Sequence, residues 1–215
     1  MKTLSTILGI IISLSLFSQE VKPDLAKITD KTVWKAHNRN VVTIIERSET
    51  IMRFDERQGD GLAIYHNLEF ENGTIDFDVK GRNVPGRSFV GLAFHIQDEE
   101  TFNAIYFRPF NFKNPDKIRS GHSVQYISHP EFTWRKLRTE FPEQFENPVK
   151  PVPNPEDFFH AKVVVDWPMV KVYVENAKVP SLEVKMKSTF KKGKIGFWAG
   201  NGSDGMYKNL VVIKK

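Results

Sequence analysis

The sequence predicts an all-β protein: a two-sheet antiparallel β-sandwich of the jelly-roll type. Three observations carry this expectation. Short runs rich in β-branched and aromatic residues alternate apolar and polar with period 2. Clusters of Gly, Asn, Asp and Pro separate many of these runs. No stretch sustains helical periodicity for three turns. The 215 residues are 40% hydrophobic and 27% charged, a globular composition. About twelve strands are too many for a minimal immunoglobulin-like domain, and a two-sheet jelly roll accommodates them.

The first segment stands apart from that pattern. Met1-Lys2 supplies one positive charge, Thr3 to Phe17 is apolar apart from small Ser and Thr, and Ser18 offers a small residue for cleavage. This is the order of a secretory signal peptide over residues 1–18. The apolar run is shorter than the roughly 20 residues that a spanning helix needs, so the expectation is export to the periplasm or the medium with no stable membrane anchor after cleavage. One domain, residues 21–215, then remains.

The strands follow in order. Val41 to Ile45 and Thr50 to Phe54 come first, then Leu62 to His66. Thr74 to Lys80 alternates cleanly, Ile75, Phe77 and Val79 against Asp76, Asp78 and Lys80. Phe89 to Gln97 sets Leu92, Phe94 and Ile96 against Ala93, His95 and Gln97. Asn103 to Arg108 and Ser123 to Ser128 follow. Lys162 to Asp166 and Val170 to Glu175 flank a turn at Trp167-Pro168. Leu182 to Met186, Lys194 to Ala199 and Asn209 to Ile213 complete the set. Between Ser128 and Lys162 the pattern breaks: His129 to Asp157 holds six prolines, which cannot donate to a strand ladder. This long excursion carries Phe132, Trp134, Phe141 and Phe145, so it is expected to pack onto the sandwich, with a short helix within Glu131 to Phe145.

Composition removes several function classes. With no Cys, a disulfide scaffold, a thiolate metal site and a cysteine nucleophile are excluded. The six His show no zinc spacing, and no acyl-transfer, phosphate-binding or dinucleotide motif is present. The formal charge of +5 needs no nucleic-acid partner, and the basic stretch Lys185 to Lys194 lacks aromatic interleaving.

The polar faces of successive strands hold the best constellation. His95, Tyr106, Arg108, Gln125 and Trp198 share one sheet face if their strands are neighbours, with Asn111 just beyond Arg108. Trp134 reaches the same face if the excursion folds over it. Aromatic rings stack on the C–H surfaces of sugars, while Arg, Gln and His give directed hydrogen bonds. These seven residues are the expected ligand-binding set. Glu140, Glu143 and Glu146, on the excursion, are candidates for acid–base work or else a solvated charged segment. Gly200 to Gly205 is a polar turn.

Four stretches resemble the concanavalin A-like, laminin G-like sandwiches of exported bacterial proteins, and most of all their 3-keto-disaccharide hydrolase (family-16-glycosidase-like) group. They are Phe70 to Val79, Phe89 to His95, Phe159 to Val165 with Val170 to Val174, and Gly193 to Trp198 with Gly205 to Val212. The resemblance implies the fold, a glycan or disaccharide ligand and, in some members, a structural Ca²⁺, for which Asp55, Asp60, Asn201 and Asp204 are the candidate oxygen donors. The departure is in Thr74 to Lys80, which has two carboxylates but lacks the Glu residues of true family-16 enzymes. The leading expectation is therefore an exported carbohydrate-binding protein, with a glycoside hydrolase as the alternative and a protein-interaction module as the third reading.

Overall fold

A computed structural model describes residues 19–215; the expected signal peptide, residues 1–18, lies outside the described residues. The strands in chain order are β1 (Gln19–Val21), β2 (Trp34–His37), β3 (Val41–Glu46), β4 (Glu49–Arg57), β5 (Gly61–Phe70), β6 (Gly73–Lys80), β7 (Val90–Ile96) and β8 (Phe102–Phe107), followed by β9 (Val124–His129), β10 (Glu146–Asn147), β11 (Phe159–Asp166), β12 (Met169–Val174), β13 (Leu182–Lys185), β14 (Gly193–Ala199) and β15 (Ser203–Lys214). Two short helices, α1 (Lys117–Gly121) and α2 (Trp134–Glu140), sit in connections. All twelve expected strands are present. Three further ones, β1, β2 and β10, are two to four residues long, too short for an alternating pattern to show.

Every pairing is antiparallel. One sheet, called A, runs β13-β12-β11-β6-β15-β4-β3, with β1 beside the second half of β15; the other, B, runs β10-β9-β8-β7-β14-β5-β2. Neither sheet closes on itself. Period-2 alternation sends one face of each sheet inward. From A come Ile75, Phe77 and Val79 of β6 and Phe159, Ala161, Val163 and Val165 of β11, each essentially inaccessible. From B come Leu92, Phe94, Ile105, Phe107 and Phe197. Ring contacts join the layers: Phe107 meets Phe159 edge-on at 5.0 Å, and Phe197 stacks on Tyr207 at 4.5 Å. Truncating any one of these rings to Ala costs about 3–5 kcal/mol in a typical core.

The proline-rich excursion is ordered. Thr133 caps α2, its Oγ1 accepting from Lys136 N. Leu137 is fully buried beneath the helix, and Phe145 and Val149 are buried after it. The chain then adds β10 to the outer edge of B, where Asn147 and the Lys150 amide both hydrogen-bond Ser181. The excursion thus becomes a wall standing over the outer face of B, and that wall makes the cleft described next.

Candidate functional site

On strands of sheet B, inward Ile105 and Phe107 force Tyr106 outward, and inward Phe197 does the same for Trp198. Register then aligns one row across the outer face: Glu146 beside Gln125, Gln125 beside Tyr106, Tyr106 beside Gly91, Gly91 beside Trp198, Trp198 beside Leu62, and Leu62 beside His37. Gly91 matters because of its missing side chain. A methyl group there would collide with the Ile105 carbonyl oxygen and lie 2.6 Å from Tyr106 Cα. Without it, the Tyr106 and Trp198 rings close over the strand between them, centroids 4.9 Å apart.

Tyr106 and Trp198 of this row floor a cleft of about 630 Å³. Phe89 and Phe110 form one side, edge to face at 5.7 Å, and Trp134 on α2 forms another. Trp134 is 42% exposed, and the guanidiniums of Arg135 and Arg138 lie over its ring at 5.3 and 5.2 Å.

Arg108, 5% exposed, organises the floor. Its Nη2 donates to Tyr106 Oη at 2.6 Å and to Gln125 Oε1 at 2.5 Å, and its Nη1 donates to the His122 carbonyl at 2.9 Å. Tyr106 Oη in turn donates to Gln125 Oε1 at 2.8 Å. The guanidinium also lies 4.8 Å from the Tyr106 ring centroid. Burial pushes the Tyr106 hydroxyl up to about 12, so it stays a neutral donor. Gln125 Nε2 is buried with no partner among the described residues.

Behind Arg108 lies Glu146, 5% exposed, held bidentately by Arg138 through Nε at 2.8 Å and Nη2 at 2.6 Å. His122 Nδ1 is 2.9 Å from Glu146 Oε1 and Arg108 Nη1 is 3.8 Å from Oε2. Burial holds the His122 imidazole below its ordinary range, against the pull of Glu146. At the other end of the cleft is Asp60, on the turn before β5. Burial raises its carboxyl, opposed by His129, the Trp198 indole N–H and Arg39. His129 Nδ1 stands 3.8 Å away, and burial lowers its imidazole. The Trp198 N–H makes no hydrogen bond of ordinary geometry, although it lies close enough to favour the Asp60 anion.

Of the seven residues expected to bind ligand, Tyr106, Arg108, Asn111, Trp134 and Trp198 line this cleft, and Gln125 is bonded directly to two of them. Asn111 is buried there, its Nδ2 donating to the His122 carbonyl at 3.2 Å. His95 does not reach it. Between the pairs Lys194–Ile96 and Gly196–Ala93, β7 carries one residue more than β14. This bulge puts His95 at φ +51° and breaks the alternation. Its ring is fully buried beside Phe70 and Phe94, with Nε2 2.8 Å from the Glu71 carbonyl oxygen. Glu146, one of the three excursion acids, is no solvated charge. Asp60, weighed only as a calcium donor, lines the cleft instead. Gly91, Phe89, His122 and Arg138 were not singled out. A glycine inside the strand pattern of Val90 to Ile96 was the available signal, since it marks a close approach.

The carboxylates of Asp76 and Asp78 stand on the outer face of sheet A, outside the cleft, where His160 bonds both at 3.2 and 2.9 Å. Among the described residues no three His, Cys, Asp or Glu side chains converge as a metal site. The four candidate calcium donors are engaged elsewhere: Asp55 with Arg57, Asp204 with Arg82, Asn201 with the Gly59 amide, and Asp60 at the cleft.

No family model matches the chain, and no curated protein matches it. Solved structures do. The carbohydrate-binding module CBM66 from Bacillus subtilis superposes with a TM-score of 0.60 at 14% identity, covering 83% of this chain and 94% of that one. The VIP36 exoplasmic/lumenal domain, in its Ca²⁺/Man3GlcNAc-bound form, matches with a TM-score of 0.57 at 14% identity over 85% of both chains. A β-glucanase from Bacillus licheniformis matches with a TM-score of 0.55 at 14% identity, covering 92% of this chain and 98% of that one. The fold is accordingly a concanavalin A- and galectin-like jelly-roll sandwich. At such identities the likeness concerns the fold alone.

Proposed function

We propose that this protein is an exported carbohydrate-binding sandwich that seats a glycan or disaccharide in the cleft of sheet B. The observation that carries the reading is the cleft itself: a concave floor of paired Tyr106 and Trp198, a partly exposed Trp134 on the opposing wall, and a buried arginine network holding the floor rigid. Such a site suits a ring with apolar faces and a polar rim. The matched folds include a carbohydrate-binding module and a sugar-bound domain, which supports a glycan ligand. Export rests on the character of residues 1–18.

Trp134 gives the cleanest test, because it is exposed enough to be removed without collapsing the core. A ligand that binds only the folded chain raises its unfolding midpoint. Screening mature protein against neutral and acidic oligosaccharides should find a stabilising sugar. Trp134→Ala should weaken that sugar roughly fivefold or more, as for an aromatic anchor worth about 1 kcal/mol or more, and leave the ligand-free midpoint nearly unchanged. No stabilisation by any sugar would overturn the reading.

A second reading, glycoside hydrolysis, draws on Asp60, whose raised carboxyl suits a general acid. Against it, Asp60 is the sole Asp or Glu among the described residues lining the cleft, and acid–base glycosidases use a pair of carboxyl groups. Product analysis on any sugar that binds, with Asp60→Asn beside the parent, separates the two. Cleavage that Asp60→Asn abolishes would install the enzyme reading.

A further inference from the structure

We infer that the cleft is built for an anionic sugar, one carrying a carboxylate or sulfate, seated at the end where Arg108, Arg138 and Arg119 face it. The inference rests on the glycan reading above and adds the charge of the ligand.

The argument is one of unbalanced charge. Arg108 and Glu146 have side chains only 6% and 4% exposed, and Arg138 is 33% exposed. Both guanidiniums depend on the same carboxylate, and its bidentate contact goes to Arg138; Arg108 has only the 3.8 Å approach. His122 supplies no countercharge, because an imidazole is either neutral or cationic. Two guanidiniums against one carboxylate leave a positive charge in a site largely withdrawn from water. Such a charge is costly unless something negative completes it. Asp60 does not serve, because it sits at the other end with His129 and has Arg39 behind it. Arg119 adds a third guanidinium to the lining, 66% exposed and only loosely met by Asp116 at 3.8 Å.

Donor capacity points the same way. A guanidinium has five N–H groups, and protein oxygens accept three hydrogen bonds from Arg108. Gln125 Nε2, wholly buried and without a hydrogen-bond partner among the described residues, is a further donor in the same network. Planar guanidiniums with spare donors match carboxylate and sulfate oxygens better than they match neutral hydroxyls.

The test pairs sugars that differ only in charge, using full mature protein and calorimetric titration. Oligogalacturonides are compared with the same oligomers methyl-esterified, and a sulfated glycosaminoglycan oligomer with its desulfated form, so that the two anion types are read separately. The expected result is that at least one acid binds about tenfold or more tightly than its neutral partner, with a preference that shrinks in high salt. Arg119→Gln, an exposed change, should weaken the acid a few-fold and leave the neutral partner unaffected. Glu146→Gln, which removes the carboxylate that Arg108 and Arg138 share, should tighten the acid; a purely structural role for Glu146 would weaken acid and neutral sugar alike. Equal binding of acid and ester, or a preference for the neutral form, would overturn the charge inference and leave the glycan reading standing. No binding by any sugar would overturn both.

Discussion

Gly91→Ala tests the link from register to cleft. Gly91 lies in a central strand of sheet B, between Tyr106 on β8 and Trp198 on β14. The added methyl meets backbone on β8: it would collide with Ile105 O and lie 2.6 Å from Tyr106 Cα and 2.9 Å from Tyr106 Cβ. Backbone in the middle of a seven-stranded sheet cannot swing aside as a side-chain tip can, so the cost belongs at the upper end of overpacking, about 3 kcal/mol. For a domain of this size that lowers the melting temperature by roughly 6–12 °C. Because the strain is absorbed at Tyr106, the floor of the cleft opens as well, and affinity for any sugar the parent binds should fall in the folded variant. Gly121→Ala is the matched control: beyond its own helical turn a methyl there meets nothing within 4 Å, so stability should stay within about 0.5 kcal/mol. Calorimetry and urea titration of the three proteins decide the matter. A Gly91→Ala variant as stable as the parent would refute both the register across β7, β8 and β14 and the floor built on it.

Two further changes probe the polar networks. Tyr106→Phe removes one acceptor from the buried Arg108 guanidinium and one donor to Gln125; loss of a charged hydrogen bond in that setting costs about 2 kcal/mol, read as a shift in the urea midpoint at constant slope. A midpoint unchanged from the parent would mean that Arg108 is not held as described. On sheet A, hydrogen bonds that His160 donates to Asp76 and Asp78 raise its imidazole from an ordinary 6.5 to about 9. A folded-state value above the unfolded one adds stability that is complete below 6.5 and lost as pH rises through 9. Full linkage would give about 3 kcal/mol, and with the side chain a quarter exposed about 1–2 kcal/mol survives screening. The parent should therefore lose that amount between pH 6 and pH 10 relative to His160→Gln; parallel stability curves for the two proteins would contradict the bridge.

The strands and their inward faces were legible because alternation reports burial directly, as in Ile75, Phe77 and Val79. Tyr106, Arg108 and Trp198 were legible for the same reason: each is a large polar or aromatic residue out of phase with strong core residues. What alternation does not carry is register. Nothing in the sequence says that Glu146 lies opposite Gln125, two strands from Gly91, so the row became visible only in the folded sheet. Nor does it carry bulges formed without glycine at the bulged position. His95 has an ordinary side chain in a left-handed conformation, and the compensating signal lies on the facing strand, where a methyl at Gly193 would lie 2.6 Å from the His95 carbonyl carbon.

The two outer faces began as the same pattern and ended with different chemistry, and the difference is the excursion. On sheet A the alternating polar residues remain partly in water and settle into pairs: Asp76 and Asp78 with His160, Lys208 with Glu49, Lys171 with Glu183. On sheet B the wall from Thr133 to Asn147 withdraws the same kind of polar row from solvent. Burial makes every unpaired donor costly, so the row has to be networked. The network that results is complete in hydrogen bonds around Tyr106 Oη and incomplete in charge around Arg108. Selection for stability alone would favour removing that excess, since a buried ion pair is often replaceable by apolar side chains without loss. Its presence beneath the aromatic floor of the cleft is the reason for the proposal that the arginines serve a ligand rather than the fold alone.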